Sequence, residues 1–496
     1  MHNCGTALHL EKARARASPV RLAFVVAVSL SATLLCDAAA AQGNPWRRLE
    51  ERAWALQRDG KREQAVATAK QAVEYAEGDS QQSVASSLTT LADIYRLQDQ
   101  YSTAEPLHRR ALAIREKIYG SEHPEVALSL NNLALMLRLQ SRYAEAEPLF
   151  LRALSIREKT LGPESRQVAF SLGDLAQQYR EQGRFADAES AYKRSLAIRE
   201  KVFGPEHPEV AAAINGLGFL YVDKGQYPAA ENLFRRALAI RERALGAEHI
   251  AVTQTLTGLG QLYVEQGRYA EAETAYRRSL IVREKLLGSE HRDVALNYGN
   301  LGQLYRLQER FAEAEAAYLR SLALREKTLG SNHPQVAISV YGLAELYRVQ
   351  GRLDDAVPLY KRAIVIFDDS LDREHPRMAA SLQGLAAVYF KQGDNTAAVT
   401  LYKRAVAILE NSLDRDHPRM AASLHGLAEV YAAQGEFAAA EALWRRALEI
   451  RQAALSPVHP EVAATLEQMS ALYTRMDRQD DARQFAQRAA KIRAQK

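Results

Sequence analysis

The sequence predicts an all-α, right-handed solenoid of about eleven antiparallel helix pairs, on three observations. Histidines His123, His207, His249, His291, His333, His375, His417 and His459 recur in 42-residue steps, with one double step that Ser165 fills. Tyrosines keep the same step from Tyr95 through Tyr179, Tyr221, Tyr263, Tyr305, Tyr347, Tyr389 and Tyr431 to Tyr473, with Leu137 substituting once. Alanines do likewise from Ala104 to Ala482. Three residue types in one register mark an internal repeat, and such units bury their cores only against their neighbours.

Within a unit the spacing is helical. Leu130, Leu133, Ala134 and Leu137 form the apolar stripe of a first helix, and Ala146, Phe150 and Ala153 that of a second. A short polar turn such as Glu181-Gln182-Gly183-Arg184 separates the two helices. Small alanines let the helices approach while an aromatic fills the space beside them. Gly120, Gly162, Gly204, Gly246, Gly288 and Gly330 stand where the second helix ends, the place of a left-handed C′ glycine. Glu-His-Pro-Glu, as at 206–209, restarts the chain, with proline suited to the first turn and the acid to the helix dipole. The histidine reads as a polar cap or packing residue of this corner. A metal site shared along the series is excluded, because ligands one helix layer apart cannot converge on one ion.

This pattern resembles the tetratricopeptide repeat, and its 42-residue step resembles the kinesin light chain branch, most clearly over residues 123–161. The resemblance covers residues 84–496 as ten units. Residues 42–83 read as a divergent N-terminal capping repeat, Trp46 to Glu77, with Gly60 at its turn and Ala65 in the alanine slot. Gln479–Lys496 reads as the polar closing helix. Two units are near copies, from Ser370 and from Ser412, and they carry Asp372 and Asp414 in place of the corner glycine, which predicts a differently built corner.

The resemblance implies that first helices line a concave face that holds a protein or extended peptide. The groove series then reads Arg96, Arg138, Arg180, Val222, Val264, Arg306, Arg348 and Phe390. Guanidiniums in a row suit bidentate capture of acidic groups. The alternative is that each pairs with a nearby acid such as Asp93, Asp174 or Glu345. The family's Leu-Asn-Asn-Leu segment, implied to grip a peptide main chain, maps onto Asn131 and Asn132, with Asn215 and Asn300 in later units and Asp174 as a replacement. Gly216, Gly258, Gly342, Gly384 and Gly426 occupy the second asparagine's place elsewhere. A glycine inside a helix costs about 1 kcal/mol, which calls for helix packing or a ligand backbone in compensation.

The first forty residues differ from the rest. Lys12, Arg14, Arg16 and Arg21 precede an apolar run from Leu22 to Leu35, and Ala39-Ala40-Ala41 closes it. This order predicts a signal peptide over residues 1–41, cleaved near Ala41, and a periplasmic or secreted mature chain. A membrane anchor through an uncleaved segment, or acylation at Cys36, stays open. Cleavage takes four bases and two acids from a chain of net charge +5, leaving +3, too little for a nucleic-acid footprint. It also takes both cysteines, Cys4 and Cys36, and with them any disulfide or thiol chemistry.

No Walker loop, nucleophile elbow, zinc-protease helix or dinucleotide turn occurs, so no catalytic residue, metal or cofactor is assigned. Paired acids such as Glu145/Glu147 and Glu271/Glu273, and the Arg115-Glu116-Lys117 runs, read as solvated charge ladders. The expected function is a non-catalytic adaptor binding protein or peptide, without nucleic acid and without a membrane span after cleavage. A self-associating subunit of an envelope complex, or the targeting arm of a separate enzyme, is the alternative.

Overall fold

The computed structural model describes residues 44–494 apart from 371–374, 414–416 and 456–458. The expected signal segment, both cysteines, Asp372 and Asp414 lie outside the described residues. Among those described, 22 helices form eleven antiparallel pairs, from Pro45–Arg58 with Arg62–Glu77 to Pro460–Arg475 with Gln479–Arg493, and there is no strand. Neighbouring first helices also pack on one another, whereas second helices make no comparable contact, so the first helices occupy the inner radius.

Seven of the eleven first helices are N-capped by their corner histidine. The Nδ1 of His123, His207, His249, His291, His333, His417 and His459 accepts the backbone N–H two residues on at 3.1–3.2 Å. His375 does the same for Arg377 at 3.1 Å, and Ser165 caps through Val168. An Nδ1 that accepts leaves Nε2 as the ring's remaining hydrogen-bonding atom. The corner glycines before these caps are not in the left-handed helical region. From Gly120 to Gly330 they have φ of 79–91° with ψ of 150–166°, a region essentially reserved for glycine.

The alanine series is the contact line of each pair, with Ala104, Ala146, Ala188, Ala230, Ala272 and Ala314 all fully buried. The tyrosine series ties one unit to the next. The Tyr179 hydroxyl donates to Glu147 of the preceding unit at 3.1 Å, and Arg184 donates to the same carboxylate while lying over the Tyr179 ring at 4.1 Å. Tyr305, Glu273 and Arg310 repeat this clip. Glu147 and Glu273 are therefore inter-unit ties rather than solvated charges, while Glu145 and Glu271 keep the exposed position.

A larger departure concerns the Arg-Glu-Lys runs. Their arginine is buried, not exposed: Arg115, Arg157, Arg199, Arg241, Arg283, Arg325 and Arg451 are 4–8% accessible. Each plugs the joint to the next unit. Arg115 donates to Ser129 at 2.6 Å, Arg241 to Thr255 at 2.8 Å, and Arg325 to Ser339 at 2.8 Å and to the Gln335 carbonyl at 3.0 Å. Burial lowers Arg241 and Arg325 to about 10, which leaves them charged at neutral pH. The lysine of the run reaches back outside, as Lys159 does to Glu122 at 3.0 Å.

The superhelix closes on itself edge to edge. Residues 232–234 apart meet, so one turn takes about five and a half 42-residue units. On one edge stand the turns between paired helices, and on the other the histidine corners of the next superhelical turn. Arg292 donates to the Leu97 carbonyl at 3.1 Å, and His333 Nε2 lies 3.1 Å from the Asp99 carboxylate. Ser141 Oγ is 3.1 Å from His375 Nε2, and the Tyr227 hydroxyl is 3.5 Å from His459 Nε2. Tyr143 is buried in one cluster with Met378, Leu382 and Met420 of the following turn.

Asp99, Ser141, Glu309 and Asp477 adopt φ of 58–60° where glycine holds the equivalent place at 183, 225 and 267, so the left-handed residue belongs to the turn between paired helices whether or not the seam faces it. At Gly183 no side chain fits, because a Cβ would come within 2.9 Å of His417. Burial raises Asp99, but the neighbouring His333, Tyr101 and Arg292 outweigh it and hold the carboxyl below its ordinary value.

Candidate ligand groove

The groove arginines end the first helices, where the amphipathic stripe turns from the core toward the inner surface. Most are engaged by the protein's own acids. Arg138 Nη1 donates to Glu181 at 2.6 Å, and Arg180 Nη1 to Asp223 at 2.8 Å, in both cases 43 residues on. Arg96 pairs with Asp93 at 3.0 Å and Arg348 with Glu345 at 2.7 Å, each within its own helix. Coulombic attraction from Glu181 and from Asp223 outweighs burial and raises both Arg138 and Arg180. Charge reversal at these two arginines would oppose like charges across a unit joint, so it would disturb stacking as well as any ligand.

The cross-unit ladder breaks in the middle of the chain. Its rungs join an arginine to an acid 43 residues later, but Val222 stands opposite Glu265, and Arg306 stands opposite Val349. Among the described residues Glu265 makes no hydrogen bond or ion pair, and burial, with Glu461 and Asp223 nearby, pushes its carboxyl up. Arg306 touches the Tyr318 hydroxyl but meets no carboxylate among the described residues, and its Nε is buried without a partner. Leu307 and Val349 beside them are 36% and 44% exposed. Glu265 was not among the sequence candidates. The signal for it was the acid series Glu181, Asp223, Glu265, which runs one place behind the arginines at the same step.

The asparagine positions divide. Asn131 is 8% accessible and donates to Asp174 at 2.9 Å, a joint between units. Asn215 is 7% accessible with its Oδ1 buried and unpartnered. Asn132 and Asn300 are half-buried on the inner surface. Phe390 is half-buried against Tyr402, Leu427 and Val430. The helical glycines make room for a ring of the preceding unit: a Cβ at Gly216 would meet Tyr192 at 2.7 Å, at Gly342 Tyr318 at 2.5 Å, and at Gly384 Tyr360 at 2.3 Å. Helix packing therefore accounts for these three positions, and no ligand backbone is needed there.

The tetratricopeptide repeat model matches nine overlapping segments, from residues 83–159 to 419–495, at 42-residue steps. The chain belongs to the tetratricopeptide repeat family. It is a protein-interaction scaffold in the general sense of that family, and its repeats keep the 42-residue step expected from the sequence. A crystal structure of BtubC (BKLC) from P. vanneervenii is 26% identical, over 46% of this chain and 92% of that one, with a TM-score of 0.40. A Podosopora anserina protein of nearly identical TPR-like repeats, named after the kinesin light chain, is 27% identical over 42% of this chain and 97% of that one, with a TM-score of 0.37. A Rap protein complexed with competence and sporulation factor is 17% identical over 75% and 98%, with a TM-score of 0.49. The comparison with curated proteins returned no match. Among the described residues of this tetratricopeptide array, no helix is long and apolar enough to cross a membrane.

Proposed function

We propose that the chain is an exported, non-catalytic adaptor whose groove holds an extended peptide by one basic and one acidic side chain. The observation that carries this reading is the interrupted ladder, which leaves Glu265 and Arg306, one unit apart, without an oppositely charged partner among the described residues. Arg96, Arg138, Arg180 and Arg348 are spent internally, so capture of an acidic group falls to Arg306. Glu265 sits among acids and gains from any cation brought to it. Neighbouring first helices lie about 8–10 Å apart, and an extended chain advances about 3.3–3.6 Å per residue, so the two ligand charges fall about three residues apart. Leu307 and Val349 offer apolar contact to what lies between. Export rests on the basic segment and apolar run that open the sequence.

Peptide display against the purified protein tests this. Enriched peptides are expected to carry a Lys or Arg and an Asp or Glu at that spacing. Arg306→Glu alone should weaken them by at least about tenfold, the scale of one lost charge-assisted hydrogen bond. The exchange Glu265→Arg with Arg306→Glu should select peptides of reversed order. Identical selections from both proteins would remove the groove assignment.

A further inference from the structure

The seven plugging arginines make two exceptions conspicuous. In the near-copied units, Phe367 and Leu409 stand where arginine plugs the joint elsewhere. Two changes accompany the loss. The hydroxyl that such an arginine would reach, Ser381 Oγ, is 1% accessible and has no hydrogen-bond partner, whereas Ser339 one unit earlier is bound by Arg325 at 2.8 Å. The position ten residues past the plug, acidic in four of the seven other units, as Glu209 is beside Arg199 at 2.9 Å, holds Arg377 and Arg419 here. The positive charge has thus moved from inside the joint to its rim, and an apolar vacancy takes its place.

That vacancy is a cavity of about 330 Å³ lined by Ile338, Phe367, Leu409, Ser381, Arg377 and Arg419, among others. Its size is at the lower end of small-molecule sites. Neither Arg377 nor Arg419 forms an ion pair among the described residues, although Arg419 also faces Asp223 across the seam. Both sit in the first turn of a helix, at Arg377–Lys391 and Pro418–Gln434, where the dipole disfavours a cation and favours an anion. Ser381 stands in the wall of the same space, with its hydroxyl covered. Apolar walls and two guanidiniums at helix N-termini, without an ion pair among the described residues, together describe a receptor for an anionic head on an apolar body.

We propose that this cavity binds a small amphiphilic carboxylate. Its head lies between Arg377 and Arg419, and its apolar part rests on Ile338, Phe367 and Leu409. The site is separate from the peptide groove and does not depend on the groove's ligand. Calorimetric titration of the full chain with decanoate tests it, with decanol as the uncharged control. Decanoate is expected to bind saturably at one site, and decanol at least about tenfold more weakly. Phe367→Arg restores the plug found in seven other units and should abolish binding while keeping the helical spectrum. Arg377→Glu with Arg419→Glu, which leaves the apolar walls intact, should weaken binding by at least about tenfold. Absence of saturable decanoate binding to the unaltered chain overturns the proposal. Binding that persists equally in Phe367→Arg and in the double charge reversal overturns it as well.

Discussion

Tryptophan in place of Ala272 is expected to split the array into two independently unfolding halves. Ala272 is fully buried in the helix Tyr269–Leu287, inside the cluster that joins Phe234, Leu259, Tyr276 and Leu301. An indole there has no space to enter, and overpacking a close contact costs about 1–3 kcal/mol or more. In a repeat array, stability is a sum of unit terms and nearest-neighbour joints, so one failed joint uncouples what lies on either side. Guanidinium unfolding of the unaltered chain should give a broad cooperative transition. Ala272→Trp should give two, the earlier at clearly lower denaturant, while Ala272→Ser stays close to the parent. A single transition at the parent midpoint would show that the alanine line does not set unit spacing.

Acid is expected to open the seam between superhelical turns before it melts the helices. Burial, with Arg377 and Arg419 nearby, pushes His375 down to about 3, and burial with Arg419 pushes His417 down to about 4. Each imidazole also faces a carbonyl across the seam, Leu139 for His375 and Glu181 for His417. A histidine whose folded value is depressed favours the closed state above its unfolded value, near 6.5, and that contribution is lost as pH falls toward the folded value. At pH 5 the loss reaches up to about 2 kcal/mol for each of the two, from 1.36 kcal/mol per unit over the interval below 6.5. His108, buried inside the helix Tyr101–Tyr119 and held at about 4, adds a similar dependence from outside the seam. The seam's share is therefore read from His375→Gln with His417→Gln. Small-angle scattering should show the unaltered chain lengthening between pH 7 and pH 5 with its helical content intact, and the double variant already extended at pH 7. Equal dimensions at both pH values would exclude the histidine corners as closing contacts.

Much of the fold was legible because each element rests on local chemistry. The stripe from Leu130 to Leu137 specifies a helix whatever surrounds it, and the small alanine at 146 specifies a close partner. The corner histidines were legible as caps because the donors they satisfy lie two residues away. The buried arginines were not legible. Arg115 and Lys117 stand in one charged run, and only the next unit, arriving fourteen residues on at Ser129, shows that one is covered and the other left outside. The helical glycines were ambiguous for the same reason, since the ring that needs the space, Tyr360 at Gly384, belongs to the preceding pair.

The candidate groove divides along the same line. A row of arginines could be read from spacing, but whether a guanidinium is free depends on which acid the next unit brings within reach. Arg138 and Arg180 find Glu181 and Asp223, while Arg306 finds Val349 in that place.

By itself the sequence determined the repeat, its two helices, their caps and their small-residue contact line, because these are written in periods shorter than one unit. The tertiary structure alone decided that the ribbon closes against itself, that seven arginines become plugs, and which charges in the groove remain uncommitted. Those outcomes rest on residues 14, 43 and 234 apart meeting in space, and no local pattern encodes a distance set by the cumulative twist of stacked pairs.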